Sequence, residues 1–110
     1  MKDTSTKTDA VTFDPNSLAS ADSNIFGLPY TPEQAQMVIL PVPWEVTVSY
    51  RAGTASGPEA IFEASKQVDL FDPDLKDAWK MGLSMAEIPA EIASLNESMR
   101  PQAEEYIGLL

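Results

Sequence analysis

The chain has 110 residues, which is enough for one ordinary domain and too short for two. Seventeen Asp and Glu against seven Lys and Arg give a net charge of −10, which repels phosphate backbones and anionic lipids, so we expect no nucleic-acid or membrane partner. The sequence contains no Cys and no His, which excludes disulfides, thiolate catalysis, Ser-His-Asp triads and imidazole-ligated metal sites within this chain alone.

The amino-terminal residues 1–24 are rich in Ser, Thr, Asp and Asn and poor in apolar side chains. Because such a composition cannot recover the entropy lost on ordering, we expect a disordered extension over 1–24. This stretch lacks the apolar core of a secretory signal, and no apolar run in the chain approaches the roughly 20 residues that span a bilayer. We therefore expect a cytoplasmic protein.

An irregular segment begins the remaining stretch, 25–110, and leads to the continuous apolar run 37–40. Such a run is typical of a strand buried on both faces of a parallel sheet. Residues 43–50 then alternate between apolar and polar side chains, a pattern that allows either a second strand or a structured loop.

A helix is predicted to start near residue 57. Ser56 and Glu59 have the spacing of a capping box; alternatively, Gly57 is the cap and Pro58 the first helical residue. The helix is predicted to run to about residue 70. Its expected buried stripe has four members at helical spacing: Ile61, Ala64, Ser65 and Val68.

The rest of the chain is predicted to contain a turn at 71–74, a weaker helix or strand at 78–85, and helical segments at 90–95 and 101–110. We expect Pro101 to kink or restart the last helix. Its apolar residues fall at three- and four-residue steps: Ile92, Leu95, Met99, Ala103, Tyr106 and Ile107. A nearby group of four acids lacks the Gly and Glu of a calcium loop and is interpreted as a solvated turn: Asp69, Asp72, Asp74 and Asp77.

Three short elements follow the apolar run in a distinctive order. Residues 42–45 are Val-Pro-Trp-Glu, residues 49–53 are Ser-Tyr-Arg-Ala-Gly, and residues 57–61 are Gly-Pro-Glu-Ala-Ile with Ala-Ser shortly after. This arrangement resembles the first strand and loop of the ureohydrolase family, which includes arginase, agmatinase and formiminoglutamase, and it looks most like agmatinase. Pro41 and Phe62 depart from the family pattern, which usually has Gly and Arg at these places.

The resemblance implies an α/β fold, a three-layer α/β/α sheet of the arginase type, of which residues 25–110 would supply only the first strand and helices. It also implies a dimanganese enzyme that hydrolyses a guanidino C–N bond and releases urea or formamide. The family's metal ligands come from Gly-Gly-x-His, Asp-Ala-His-x-Asp and Ser-x-Asp-x-Asp motifs, and none occurs here. We therefore expect this chain to hold no catalytic residue, no metal ligand and no cofactor, and to be inactive alone.

The loop after the apolar run is the candidate site, because open α/β sheets bind ligands at the carboxyl ends of their strands. The residues expected at a substrate rim or subunit interface are Trp44, Glu45, Tyr50 and Arg51. Ser56, Gly57, Pro58 and Glu59 are expected to form a structural helix entrance. The alternative to a substrate rim is that Trp44 and Tyr50 are core or interface aromatics and that Arg51 pairs with a surface acid.

Two hypotheses about function follow. In the first, the chain is the amino-terminal part of a ureohydrolase, and its partners are a small guanidino substrate and the remaining part of the enzyme or a like subunit. A single parallel strand supports this hypothesis, because it needs neighbouring strands on both sides. The chain also ends in apolar residues, as a truncated segment would. In the second hypothesis, the chain is a stand-alone acidic interaction domain whose apolar carboxyl-terminal helix docks a partner without catalysis.

Overall fold

The computed structural model describes residues 13–20 and 22–110. The strands and helices are β1 (Met37–Ile39), α1 (Gly57–Ser65), β2 (Leu83–Met85) and α2 (Ala90–Leu109), with 3₁₀ turns at Ile25–Gly27, Thr54–Ser56 and Ala78–Met81. The α/β class is therefore confirmed. Residues 1–12 and 21 lie outside the described residues, so the disorder expected for 1–24 stays a prediction.

The chain divides into two compact units. The first contains the described residues up to Ile39 together with Phe62–Ala86, and the second contains Leu40–Ile61 together with Glu87–Leu110. The first unit holds both strands. The second holds α2 and the loop that was singled out as the candidate site.

The strands pair in parallel, with Met37 opposite Leu83 and Ile39 opposite Met85. The strand expected at 37–40 is confirmed, and β2 is a second strand within the stretch predicted as a weaker helix or strand. Burial of β1 on both faces is wrong, because Met37 is 52% and Val38 39% exposed. The reason is that, in the part of the chain described here, β1 has a single strand neighbour and so lacks the packing of an interior strand.

The core of the first unit lies beside β2. Ile25 and Leu28 are fully buried, and so is Ser84 in the centre of β2. The Ser84 hydroxyl donates a hydrogen bond to the carbonyl of Tyr30 at 2.8 Å, so this buried polar group is satisfied. The irregular segment before β1 is thereby fastened to the strand.

The side-chain amide of Asn24 pairs with the backbone of β2. Its Oδ1 accepts from the N–H of Met85 at 2.7 Å, and its Nδ2 donates to the Met85 carbonyl at 3.3 Å. The same Oδ1 accepts from the N–H of Ile25 at 2.6 Å and caps the first 3₁₀ turn. Asn24 therefore satisfies backbone groups of β2 that the β1 ladder does not use.

Helix α1 begins at Gly57, immediately after the 3₁₀ turn that ends at Ser56, so the predicted helix start is confirmed. It ends at Ser65 rather than near residue 70, and only Ser65 of the four members of the predicted buried stripe is buried. Ile61 is 61% and Val68 51% exposed, whereas Ser65 is buried. The reason is that a polar group fixes the inward face: the Ser65 hydroxyl accepts from the N–H of Phe26 at 2.8 Å.

The turn predicted at 71–74 is confirmed, because the carboxylate of Asp72 accepts from the N–H of Asp74 at 2.8 Å. The carboxylate of Asp69 accepts in the same manner from the N–H of Phe71 at 2.9 Å. Both carboxylates therefore stabilise turns of the adjacent backbone.

Helix α2 runs without interruption from Ala90 to Leu109 and contains Pro101, so of the two predicted effects of this proline the restart is wrong, and the kink stays a prediction. A proline removes one backbone donor, and the remaining ladder of a 20-residue helix carries through that position. The predicted apolar residues of α2 are buried unevenly: Ile92, Ala103 and Ile107 are half-buried, whereas Leu95 is 51% and Met99 42% exposed. The buried residue of this helix is Asn96. Within the described residues, no helix is both long and apolar enough to cross a bilayer.

Candidate functional site

The candidate site is the loop 44–56, which follows β1 after a short proline-rich link. Pro41 and Pro43 in that link are buried and have no backbone N–H to donate. Strand pairing accordingly ends at Ile39, whose carbonyl accepts from Ala86 at 3.0 Å. Residues 43–50 form a structured loop rather than a second strand, which settles the two alternatives left open by the sequence.

Glu45 closes this loop on itself. Its Oε1 accepts from the N–H of Gly53 and from the N–H of Ala55, both at 2.9 Å. Gly53 has φ = +134°, a conformation that a residue with a Cβ rarely adopts. The hydrogen bonds from Ala55 and Gly53, helped by the charge of Arg100, lower the pKa of Glu45 because they stabilise the ionised carboxylate.

Two polar side chains of α2 bind the first part of the loop. Asn96 accepts from the N–H of Glu45 through Oδ1 at 2.6 Å. Arg100, one helical turn later, donates from Nη1 to the carbonyls of Glu45 at 3.2 Å, Val46 at 2.9 Å and Val48 at 2.7 Å. We call Glu45, Asn96 and Arg100 the loop clamp.

The aromatic and cationic residues predicted for the rim lie on the outside of the loop. Tyr50 is 92% exposed and therefore is not a core aromatic. Arg51 is also exposed, and its guanidinium carbon lies 6.0 Å from the centre of the Tyr50 ring. Trp44 is 37% exposed. The structure thus brings Tyr50 and Arg51 together and assigns Glu45 to bonds within the loop.

The sequence interpretation missed Asn96 and Arg100. Helical periodicity directs attention to apolar residues, and it selected Leu95 and Met99 instead. One signal was present: Arg100 is one of only two arginines in the chain and follows Asn96 by four residues, which puts both side chains on one helix face.

Manganese is the metal that the family resemblance implies, and the described residues do not fit it. Among residues 13–20 and 22–110, no group of three or more acidic, His or Cys side chains could hold a metal ion. Glu45, the acid of the candidate loop, already uses Oε1 for two backbone donors. No chemical step is therefore assigned to a metal bound by this chain.

A separate concave surface of about 500 Å³ lies in the first unit. The residues that line it include Phe71, Lys76, Asp77 and Trp79. None of the residues 44–56 lines it, so it is not the site that the sequence predicted.

The sequence of this chain is similar to that of known proteins. Residues 35–106 match the model of the arginase family, a stretch that includes the whole 44–56 loop and Arg100. An N(1)-aminopropylagmatine ureohydrolase from Thermus thermophilus is 38% identical over 86 residues, covering 76% of this chain and 29% of that protein. The protein of the same name from Synechocystis is 49% identical over 41 residues, covering 37% of this chain and 13% of that protein.

The chain therefore spans less than a third of the length of the curated relatives it matches. No solved structure matches it.

Proposed function

Because the chain belongs to the arginase family, we propose that it forms the amino-terminal part of a manganese-dependent ureohydrolase. The enzyme hydrolyses a guanidino carbon–nitrogen bond and releases urea. Its substrate is a small guanidino compound of the agmatine type, in line with the name N(1)-aminopropylagmatine ureohydrolase borne by the relatives. The catalytic groups and metal ligands come from outside this chain, which contains no histidine.

The observation that carries this proposal is the family match over residues 35–106, within which the clamped loop lies. The loop follows a strand of a parallel sheet, and ligands bind at that edge in open α/β sheets. Its ordered backbone and its exposed Tyr50 and Arg51 suit a rim or subunit contact. The chain thus controls access and packing, whereas bond breaking takes place elsewhere.

The proposal is tested on the complete polypeptide that contains residues 1–110, loaded with manganese. Steady-state release of urea or formamide is measured with arginine, agmatine, N(1)-aminopropylagmatine and formiminoglutamate, and metal content is measured in parallel. Hydrolysis of an agmatine-type substrate is the expected result. A manganese-loaded, folded protein that hydrolyses none of the four compounds overturns the assignment.

The role of the loop is tested by Arg51→Ala in the same enzyme, with Arg51→Lys as the charge-retaining control. We expect a raised KM or altered subunit assembly with unchanged manganese content, because the metal ligands lie elsewhere. If Arg51→Ala abolished manganese binding in a folded protein, the loop would belong to the metal site and its placement at the rim would be wrong.

A stand-alone acidic interaction domain is the second candidate, and the exposed apolar face of α2 favours it. Leu95, Met99 and Tyr106 lie on this face, and Tyr106 is 74% exposed. A sharp, reversible two-state unfolding of monomeric chain 1–110 would favour this candidate, since it would show that the chain completes its own core. Aggregation through the exposed β1 strand is expected under the ureohydrolase proposal.

A further inference from the structure

We propose that Asn96 and Arg100 are positioning residues that fix the conformation of the 44–56 loop and thereby place Tyr50 and Arg51 at the rim. The inference rests on the proposed function for its link to substrate. The clamp itself rests only on contacts within the second compact unit.

The hydrogen bonds of Arg100 define a backbone shape rather than a single contact. One nitrogen, Nη1, donates to the carbonyls of residues 45, 46 and 48, so these three carbonyls must converge on one point. The same turn is closed by a backbone bond from the N–H of Val48 to the carbonyl of Glu45 at 3.2 Å. Carbonyl oxygens repel one another when they converge, and a permanently charged guanidinium offsets that repulsion.

Glu45 carries the constraint from α2 to the far end of the loop. Its N–H is held by Asn96 and its carbonyl by Arg100. Its carboxylate in turn holds the N–H groups of Gly53 and Ala55. The loop is therefore fixed on both sides of residues 49–52, the stretch that carries Tyr50 and Arg51.

The two α2 residues of the clamp are largely shielded from water, so their hydrogen bonds can stabilise the loop. Asn96 is 8% exposed, and the side chain of Arg100 is 19% exposed. The ion pair between Arg100 and Glu104 differs, because it spans 3.6 Å and the Glu104 side chain is 59% exposed. Exposed pairs of this kind contribute little to stability, which makes Glu104→Gln a suitable control on the same helix.

The clamp is tested first by hydrogen exchange of individual amides in the complete polypeptide that contains residues 1–110. Arg100→Met keeps the apolar stem and removes the donors, and it should lower the protection of the Gly53 and Ala55 amides by at least about tenfold. Arg100→Lys returns a charged donor and should recover part of that protection. Asn96→Asp keeps an acceptor for the Glu45 N–H, so the Gly53 and Ala55 amides should be as protected as in the parent. Asn96→Leu has no such acceptor, so their protection should fall.

The second arm uses the complete manganese-loaded enzyme and separates KM from kcat. Arg100→Met should raise KM by about fivefold or more at unchanged metal content, with kcat within about twofold of the parent and partial recovery in Arg100→Lys. Glu104→Gln should show the amide protection, the KM and the kcat of the parent.

Two results overturn the inference. The first is unchanged protection of Gly53 and Ala55 in Arg100→Met. The second is an equal loss of protection at these amides and at Ser84 in β2, which would show general unfolding. If the parent enzyme releases no urea, the proposed function fails, and the exchange data still decide whether the clamp exists.

Discussion

Replacing Asn24 with Ala should destabilise the first compact unit by about 2–4 kcal/mol. The substitution leaves the N–H of Met85, bonded at 2.7 Å to Asn24 Oδ1, without its partner, and Met85 is only 8% exposed. An unsatisfied buried donor costs about 1–3 kcal/mol, and loss of the cap on Ile25 adds about 1 kcal/mol. The sum is a large fraction of the free energy of unfolding of a small domain.

The assay is urea denaturation of the complete polypeptide that contains residues 1–110, followed by circular dichroism. Asn24→Asp is the matched variant: it keeps both acceptor bonds but replaces the donor Nδ2 by an oxygen that faces the Met85 carbonyl, so we expect it to cost less than Asn24→Ala and to recover only part of the lost stability. Asn16→Ala, at an exposed position, should change stability by less than about 0.5 kcal/mol. A cost below about 1 kcal/mol for Asn24→Ala would refute the reasoning, since it would show that Met85 does not depend on the amide.

Four further predictions follow from particular contacts. The hydrogen bonds to its carboxylate lower the pKa of Glu45. Protection of the Gly53 and Ala55 amides against hydrogen exchange should therefore be full above pH 4.5, the ordinary pKa, and should be lost as the pH falls through the lowered pKa. In Glu45→Gln this pH dependence of the exchange should be absent. Pro101→Ala should stabilise α2 by about 1–3 kcal/mol, measured as a higher urea midpoint, because it restores a helical donor. Gly82→Ala should destabilise the sheet by about 1–3 kcal/mol in the same assay, since Gly82 has φ = +83° and an added Cβ would lie 3.4 Å from the backbone N of Gln36. Chain 1–110 should bind manganese more weakly than micromolar by calorimetry, because it has no imidazole; one sub-micromolar site would contradict this.

Local chemistry made part of this fold predictable. The apolar run at 37–40, the Gly-Pro start of α1 and the Asp72 turn each depend on neighbours in the sequence, and each is present in the structure. The burial of these elements was not predictable in the same way. Val38 is exposed because burial depends on partners across the sheet, which periodicity does not report.

The candidate site, too, was predictable from the sequence only in part. The loop was located from its motif residues, and Tyr50 and Arg51 do lie exposed and adjacent. The groups that hold it come from α2: Asn96 lies 51 residues from Glu45, and Arg100 lies 54 residues from Val46. The four-residue spacing places Asn96 and Arg100 on one helix face, but it does not identify what they bind, so their contacts became visible only in the folded chain. The cytoplasmic location expected from the sequence stays a prediction.

Release of urea from N(1)-aminopropylagmatine by the complete manganese-loaded polypeptide is the most direct test of the central claim. The account predicts one urea per substrate consumed by that protein, and none by chain 1–110 alone. A folded, manganese-loaded protein that releases no urea from this or any other guanidino compound would contradict it, and so would urea release by chain 1–110.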